Sequence, residues 1–285
     1  LIREFVYVPD AQIGWVPFAV RAGARVLERE RERDWVVYSS SVPYSAHLAA
    51  AHLSSRFCLP WVAEFRDPWS AQDESQLPRS SFRRKLDRRL ERWILRTADK
   101  VVVTSETTRD LLLVSFPDLA PRKVKVIPNG FEPLPPGKPP GPKEAMTLVH
   151  AGTLHDPEYA RPVVEVLRRI QARWPGAVRL AVLGDPDPWR DCLLGDGDPV
   201  SPFMDLRGIV HPSIARKAVQ DASALLLPAT HRRFRLILLG KLFTYLGSRR
   251  PILAAVPEGS EMEGVIQRAS DGRLMSAWNE ETIER

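Results

Sequence analysis

Ala98-Asp99-Lys100-Val101-Val102-Val103-Thr104-Ser105-Glu106, taken with Val124-Lys125-Val126-Ile127-Pro128-Asn129-Gly130-Phe131-Glu132, decides the fold of this chain. Val101 to Val103 is a short apolar run closed by Thr-Ser, and such a run bounded by turn residues reads as a buried strand. Thr107 to Ser115 reads as a helix. Val124 to Ile127 is a second strand, stopped by Pro-Asn-Gly. Strand, helix and strand in that order predict a parallel pair, because the two strands need a crossover connection.

The pattern extends in both directions. Upstream, Gln12 to Arg31 has helical spacing, with Val16, Val20, Ala24 and Leu27 on one face. Strands are expected near 35–40 and 60–66, and again near 100–104 and 123–127, with helices between them. A parallel sheet covered on both faces follows. Residues 133–143, Pro-Leu-Pro-Pro-Gly-Lys-Pro-Pro-Gly-Pro-Lys, favour neither helix nor sheet interior, since proline lacks an amide donor, and read as a linker. The alternation then resumes. Strands are expected at Met146 to Ala151, Val178 to Leu183, Leu206 to Val210, Leu225 to Leu227 and Ile252 to Ala255, with helices after Ala160, Ser213, Leu236 and Ser260.

These segments resemble the retaining GT-B glycosyltransferases of family 4. Such enzymes carry an A-D-x-V-x-x-x-S-E segment and an I-P-N-G-[FV]-[DE] turn at the end of their first domain. Further matching segments follow in family order: Pro43-Tyr44-Ser45-Ala46-His47-Leu48, Pro60-Trp61 through Phe65-Arg66-Asp67-Pro68-Trp69, Gly152-Thr153-Leu154, and Gly240-Lys241-Leu242-Phe243-Thr244-Tyr245-Leu246 with Arg250-Pro251. The resemblance implies an α/β GT-B fold of two Rossmann-like domains facing a cleft. The expected boundaries are 1–132 for the acceptor-side domain, 133–143 for the linker and 144–285 for the nucleotide-sugar donor domain. It also implies that the first domain is incomplete, because family members place further βα units before this point.

Site residues follow from the same matches. Gly152 and Thr153 end a strand, and Arg161 opens the next helix; a glycine lets the backbone approach a diphosphate, while a helix amino terminus and a guanidinium stabilise its charge. A plain turn with an exposed arginine fits the local sequence equally well. Gly240 and Lys241 begin the family's nucleotide helix, where a glutamate normally accepts from the ribose hydroxyls. Here that position is Thr244, and Leu236 occupies the place of the second acidic residue. Gly259 and Ser260 precede a helix with Glu263, a site for an anion or an ordinary capping box. In the first half, His47, Arg66 and Asp67 are the residues implied near acceptor and sugar, Arg66 and Asp67 reading equally as a loop-fixing ion pair. His52 reads as packing or surface.

Asp185-Pro186-Asp187 and Asp196-Gly197-Asp198 imitate a D-x-D metal site but lie among turn residues, and are assigned to loop. His150, His155, His211 and His231 have no metal spacing. No metal and no cofactor beyond the nucleotide-sugar donor is expected.

Net charge is +6 at pH 7, which favours anionic partners, and nothing in the spacing of aromatic and basic residues suggests nucleic acid. The helix from Ser80 to Thr97 concentrates the charge: Arg83, Arg84, Lys85, Arg88, Arg89, Arg92 and Arg96 surround a stripe of Phe82, Leu86, Leu90, Trp93 and Ile94. Packed on the core, that stripe leaves a solvated basic back; against anionic lipid, it makes a peripheral membrane contact. With two distant cysteines, Cys58 and Cys192, and no apolar run of spanning length, the expected setting is cytoplasmic, at most peripheral to the inner face of the membrane.

The function implied is transfer of a sugar from a nucleotide-sugar to a saccharide or lipid-linked acceptor in surface polysaccharide or glycolipid assembly. An impaired GT-B-like binding protein, or a nucleotide-sugar epimerase, are the alternatives.

Overall fold

In the computed structural model, residues 7–70, 80–135, 145–154, 158, 161–193, 203–230 and 232–269 are described. The chain divides into two compact units, Leu1–Pro128 and Asn129–Arg285.

The first unit is a four-stranded parallel sheet in the order β1 (Val37–Ser41), β2 (Trp61–Phe65), β3 (Lys100–Val103) and β4 (Val124–Val126). Helix α1 (Val16–Arg29) precedes it, and α2 (Ser45–Phe57), α3 (Ser81–Thr97) and α4 (Glu106–Ser115) connect the strands. Trp61, Ala63 and Phe65 on β2 and Val101 and Val103 on β3 are fully buried and form the centre of its core. Capping explains why α3 and α4 begin where they do. The Ser80 hydroxyl accepts from the Arg83 amide, and the Ser105 hydroxyl accepts from Thr108 at 3.0 Å.

Helix α3 splits its apolar stripe, with Ile94 buried and Leu86 and Leu90 half-buried. Phe82 is 60% and Trp93 46% exposed, whereas Arg83, Asp87 and Glu91 are buried with Ile94 and Leu95. The polar face goes inward because Arg83, Asp87 and Glu91 find hydrogen-bond partners there. Arg83 Nε donates to both Asp87 oxygens at 3.0 Å, and its Nη atoms reach the carbonyls of Tyr7 at 3.0 Å and Pro9 at 2.5 Å. Glu91 Oε2 accepts from the Ser70 amide at 2.9 Å and from the Ser70 hydroxyl. Burial pushes the Glu91 carboxyl up to about 7, against the lowering effect of those bonds.

The second unit is a five-stranded parallel sheet in the order β7-β6-β5-β8-β9. Its strands are β5 (Met146–Ala151), β6 (Val178–Leu183), β7 (Met204–Gly208), β8 (Ala224–Pro228) and β9 (Ile252–Ala255). The helices are α5 (Arg161–Arg173), α6 (Asp187–Leu193), α7 (Pro212–Asp221), α8 (Gly240–Ser248) and α9 (Glu261–Ala269). The order reverses between β5 and β8, and open α/β sheets bind ligands beyond the carboxyl ends of the strands at such a reversal.

Two elements differ from expectation. β7 ends at Gly208 rather than Val210, with Ile209 88% exposed beyond it. The stretch assigned to loop at Asp185 and Asp187 starts helix α6, whose first turn is capped where the Asp185 carboxylate accepts from the Asp187 amide at 3.1 Å. Asp196 and Asp198, and most of the Pro/Gly-rich segment 133–143, lie outside the described residues.

Candidate functional site at the strand reversal of the second unit

β5 is a central strand covered on both faces, so Leu148 and Val149 are buried together with His150, which is 0% exposed. Its ring lies 5.0 Å from that of Trp189 at an interplanar angle of 57°. The Nδ1 atom stands 3.1 Å from the Leu226 carbonyl on β8, across the reversal, and Nε2 stands 3.3 Å from Lys241 Nζ at the start of α8. A carbonyl only accepts and an ammonium only donates. The ring therefore carries its proton on Nδ1 and offers the Nε2 lone pair to Lys241. Burial, then the Lys241 charge, pull the imidazole down to about 3, outweighing the carbonyls of Leu226 and Gly152, so it is neutral at pH 7.

Lys241 is half-buried and donates its second hydrogen bond to the Thr153 carbonyl at 2.9 Å. Burial pulls the ammonium down to about 8, and no carboxylate among the described residues pairs with it. Gly152 makes the crossing possible: its φ is +114°, and a Cβ there would stand 3.3 Å from both Cε and Nζ of Lys241. Gly184, at the end of β6, is bound by a harder limit, since a Cβ would come 2.4 Å from the Gly152 carbonyl oxygen. Tyr245, one turn along α8 and buried, fixes the end of β5; its hydroxyl accepts from the Ala151 amide at 2.9 Å. The result is an ammonium held at the strand ends beside an exposed glycine loop, an arrangement suited to an anion.

Of the expected donor residues, the structure brings Gly152, Thr153 and Lys241 together. Arg161 is exposed on the first residue of α5, and Gly240 and Thr244 are exposed on α8. The Gly259 amide already donates to the Glu263 carboxylate at 2.6 Å, and the Ser260 hydroxyl accepts from the Glu263 amide at 3.2 Å. That loop is a capping box with its amide occupied. His150 was legible only as a histidine without metal spacing; its partner lies 91 residues away. Among the described residues, no group of three His, Cys, Asp or Glu side chains is disposed to hold a metal ion.

In the first unit, His47 is 0% exposed and not placed to touch a ligand. Trp61 Nε1 donates to the Ser39 hydroxyl at 2.8 Å, leaving the hydroxyl to donate to His47 Nδ1 at 2.8 Å. The ring proton is then on Nε2, which has no partner. Burial pulls this imidazole down to about 4. Arg66 is exposed and Asp67 half-buried just past β2; burial pushes the Asp67 carboxyl up while Arg66 opposes, and no hydrogen bond joins the pair. Thr104 fixes the turn by donating to the Arg66 carbonyl at 2.9 Å. His52 is exposed.

Known proteins agree with this architecture. The chain is similar to Anabaena Alr3699/HepE solved in complex with UDP-glucose, at a TM-score of 0.56 and 14% identity, covering 90% of this chain and 68% of that one. It is similar to TarM, at 0.53 and 10%, covering 88% and 51%. It is also similar to the apo lipopolysaccharide outer core galactosyltransferase WaaB, at 0.50 and 13%, covering 95% and 75%. The chain spans 62% of the length of a second HepE structure, with UDP. No curated protein sequence matches the chain. Residues 1–133 match the family model of Glycosyltransferase Family 4. Residues 1–133 are thus similar to Glycosyltransferase Family 4, and the chain as a whole shares the fold of GT-B glycosyltransferases such as WaaB.

Proposed function

We propose that the chain acts as a retaining, metal-independent glycosyltransferase, moving a sugar from a nucleotide-sugar donor to a saccharide or lipid-linked acceptor in surface polysaccharide or glycolipid assembly. The observation that carries this reading is Lys241, an ammonium without a carboxylate partner among the described residues, lying across Gly152 where the strand order reverses. A nucleoside diphosphate leaving group supplies the missing anion. Arg161, at the amino terminus of α5, adds a second cation, and together they stand in for a metal as counter-charge. Arg66 and Asp67 are the groups of the first unit open enough to meet acceptor or sugar. The UDP-glucose bound to HepE supports a uridine donor.

Thermal shift tests the donor assignment directly. UDP at a hundred times its dissociation constant should stabilise the chain by roughly 2.7 kcal/mol. A folded chain that no uridine, guanosine or adenosine diphosphate stabilises would remove it. UDP binding without sugar transfer, to acceptor or to water, would instead favour an impaired binding protein, in keeping with Thr244 and Leu236 at the family's acidic positions.

A lipid-linked acceptor gains support from α3. Phe82 and Trp93 share its outer face with Lys85, Arg89 and Arg96, all exposed. Basic side chains flanking exposed aromatics suit an anionic membrane surface at the cytoplasmic face. No described helix is long and apolar enough to cross a membrane. Co-sedimentation with phosphatidylglycerol vesicles, absent with phosphatidylcholine and lost in Trp93→Ala with Arg89→Glu, is the expected result; equal binding to both lipids would refute it.

A further inference from the structure

Resting on the donor reading above, the geometry points to His150 as a positioning residue: it holds Lys241 over Gly152 as the cation for the nucleoside diphosphate while contributing no competing negative charge. A cation at such a site is ordinarily held by a carboxylate, which would compete with the incoming diphosphate for the same ammonium. Here, among the described residues, both holders are neutral. The imidazole offers Nε2 at 3.3 Å and the Thr153 carbonyl stands at 2.9 Å, leaving the third ammonium proton for a ligand.

The imidazole cannot turn away. Its Nδ1 proton is engaged by Leu226 on β8 at 3.1 Å, the Trp189 ring packs against it at 5.0 Å, and the side chain is 0% exposed. Among the described residues, the titratable groups beside Lys241 are His150 from β5 and, on its own helix, Tyr245, whose hydroxyl is occupied by Ala151 and whose pKa burial raises above the usual phenol value. Neither brings a negative charge near neutral pH. A buried histidine that faces a half-buried lysine, and is itself anchored across the strand reversal, fits orientation of that lysine better than plain packing, for which an apolar side chain would serve but would take this acceptor from the ammonium.

A double-mutant cycle on UDP affinity, measured by calorimetry on the full chain, tests this. Lys241→Met should weaken UDP binding, and His150→Phe should weaken it about tenfold, the order expected for losing one hydrogen bond to a charged group. In the Lys241→Met background, His150→Phe should have little further effect, since the histidine acts through the lysine. His150→Gln, whose amide oxygen can accept from Lys241, should restore most of the affinity and covers the case in which the phenylalanine variant does not fold. Losses that multiply independently in the two backgrounds, or a glutamine variant that folds but binds as weakly as Lys241→Met, would overturn the role of His150 while leaving the donor site in place. A folded parent chain that binds no UDP would instead bring down the donor reading and this inference with it.

Discussion

Among the described residues, each unit buries one histidine completely, and the two are wired in opposite senses. His47 accepts a hydrogen bond from Ser39 on Nδ1 and carries its own proton on an unpartnered Nε2; His150 donates from Nδ1 to the Leu226 carbonyl and keeps a lone pair on Nε2 for Lys241. Both imidazoles are pulled down by burial, to about 4 and about 3. A perturbed pKa therefore does not distinguish a site from a core. What distinguishes them is the next atom. The bonded partners of His47 lead back to Ser39 and Trp61 inside the sheet, whereas the chain of partners from His150 ends on an ammonium at the edge of an exposed loop.

The largest expected effect lies at that ammonium. Lys241→Ala should lower sugar transfer by about 10²-fold or more, the usual consequence of removing one preorganised charge stabiliser. Initial rates with UDP-glucose would measure it, with and without a chelator. Chelator-sensitive turnover that tolerates the substitution would move the chemistry elsewhere, and the contrast between the two histidines would lose its functional meaning.

Next comes the acid behaviour of His47. A histidine whose folded pKa is depressed contributes stability that is full above its unfolded pKa, near 6.5, and is lost as pH falls toward the folded value of about 4. His47→Phe removes the titration. Urea melts at pH 7 and pH 4 should show the variant losing less stability between them, by up to about 3 kcal/mol. UDP affinity at pH 7 should be unchanged. A fall in UDP affinity with the fold intact would place His47 in the site after all.

The smallest effect is at Thr244, exposed one turn beyond Lys241. Thr244→Glu should tighten UDP by about three- to tenfold, because a carboxylate accepts charge-assisted bonds from ribose hydroxyls where threonine makes one neutral bond. Affinity that stays level or weakens would mean that α8 does not meet the ribose.

The strands and helices were legible because their signals are local. Val101 to Val103 and Leu225 to Leu227 are apolar runs bounded by turn residues, and Ser105 and Ser260 announce helix starts through their own hydroxyls. Gly152 and Lys241 are singled out through the family resemblance, the local sequence at Gly152 fitting a plain turn equally well. Apolar spacing on α3 was equally clear, yet it left open which way the stripe faces, and folding splits it, burying Ile94 and exposing Phe82 and Trp93. Periodicity reports which residues share a side of a helix; it does not say which side finds partners, and Arg83, Asp87 and Glu91 found theirs in Tyr7, Pro9 and Ser70.

By itself, then, the sequence determined two α/β units with parallel sheets and a basic, glycine-marked set of strand ends in the second. Tertiary structure alone decided that His150 faces Lys241, that His47 lies in the core, and that the Gly259 amide is taken by Glu263. The physical reason is separation. Local structure depends on neighbours a few residues apart, whereas the state of a buried polar group is set by whichever donor or acceptor folding brings within about 3 Å, and for His150 that group lies 91 residues along the chain.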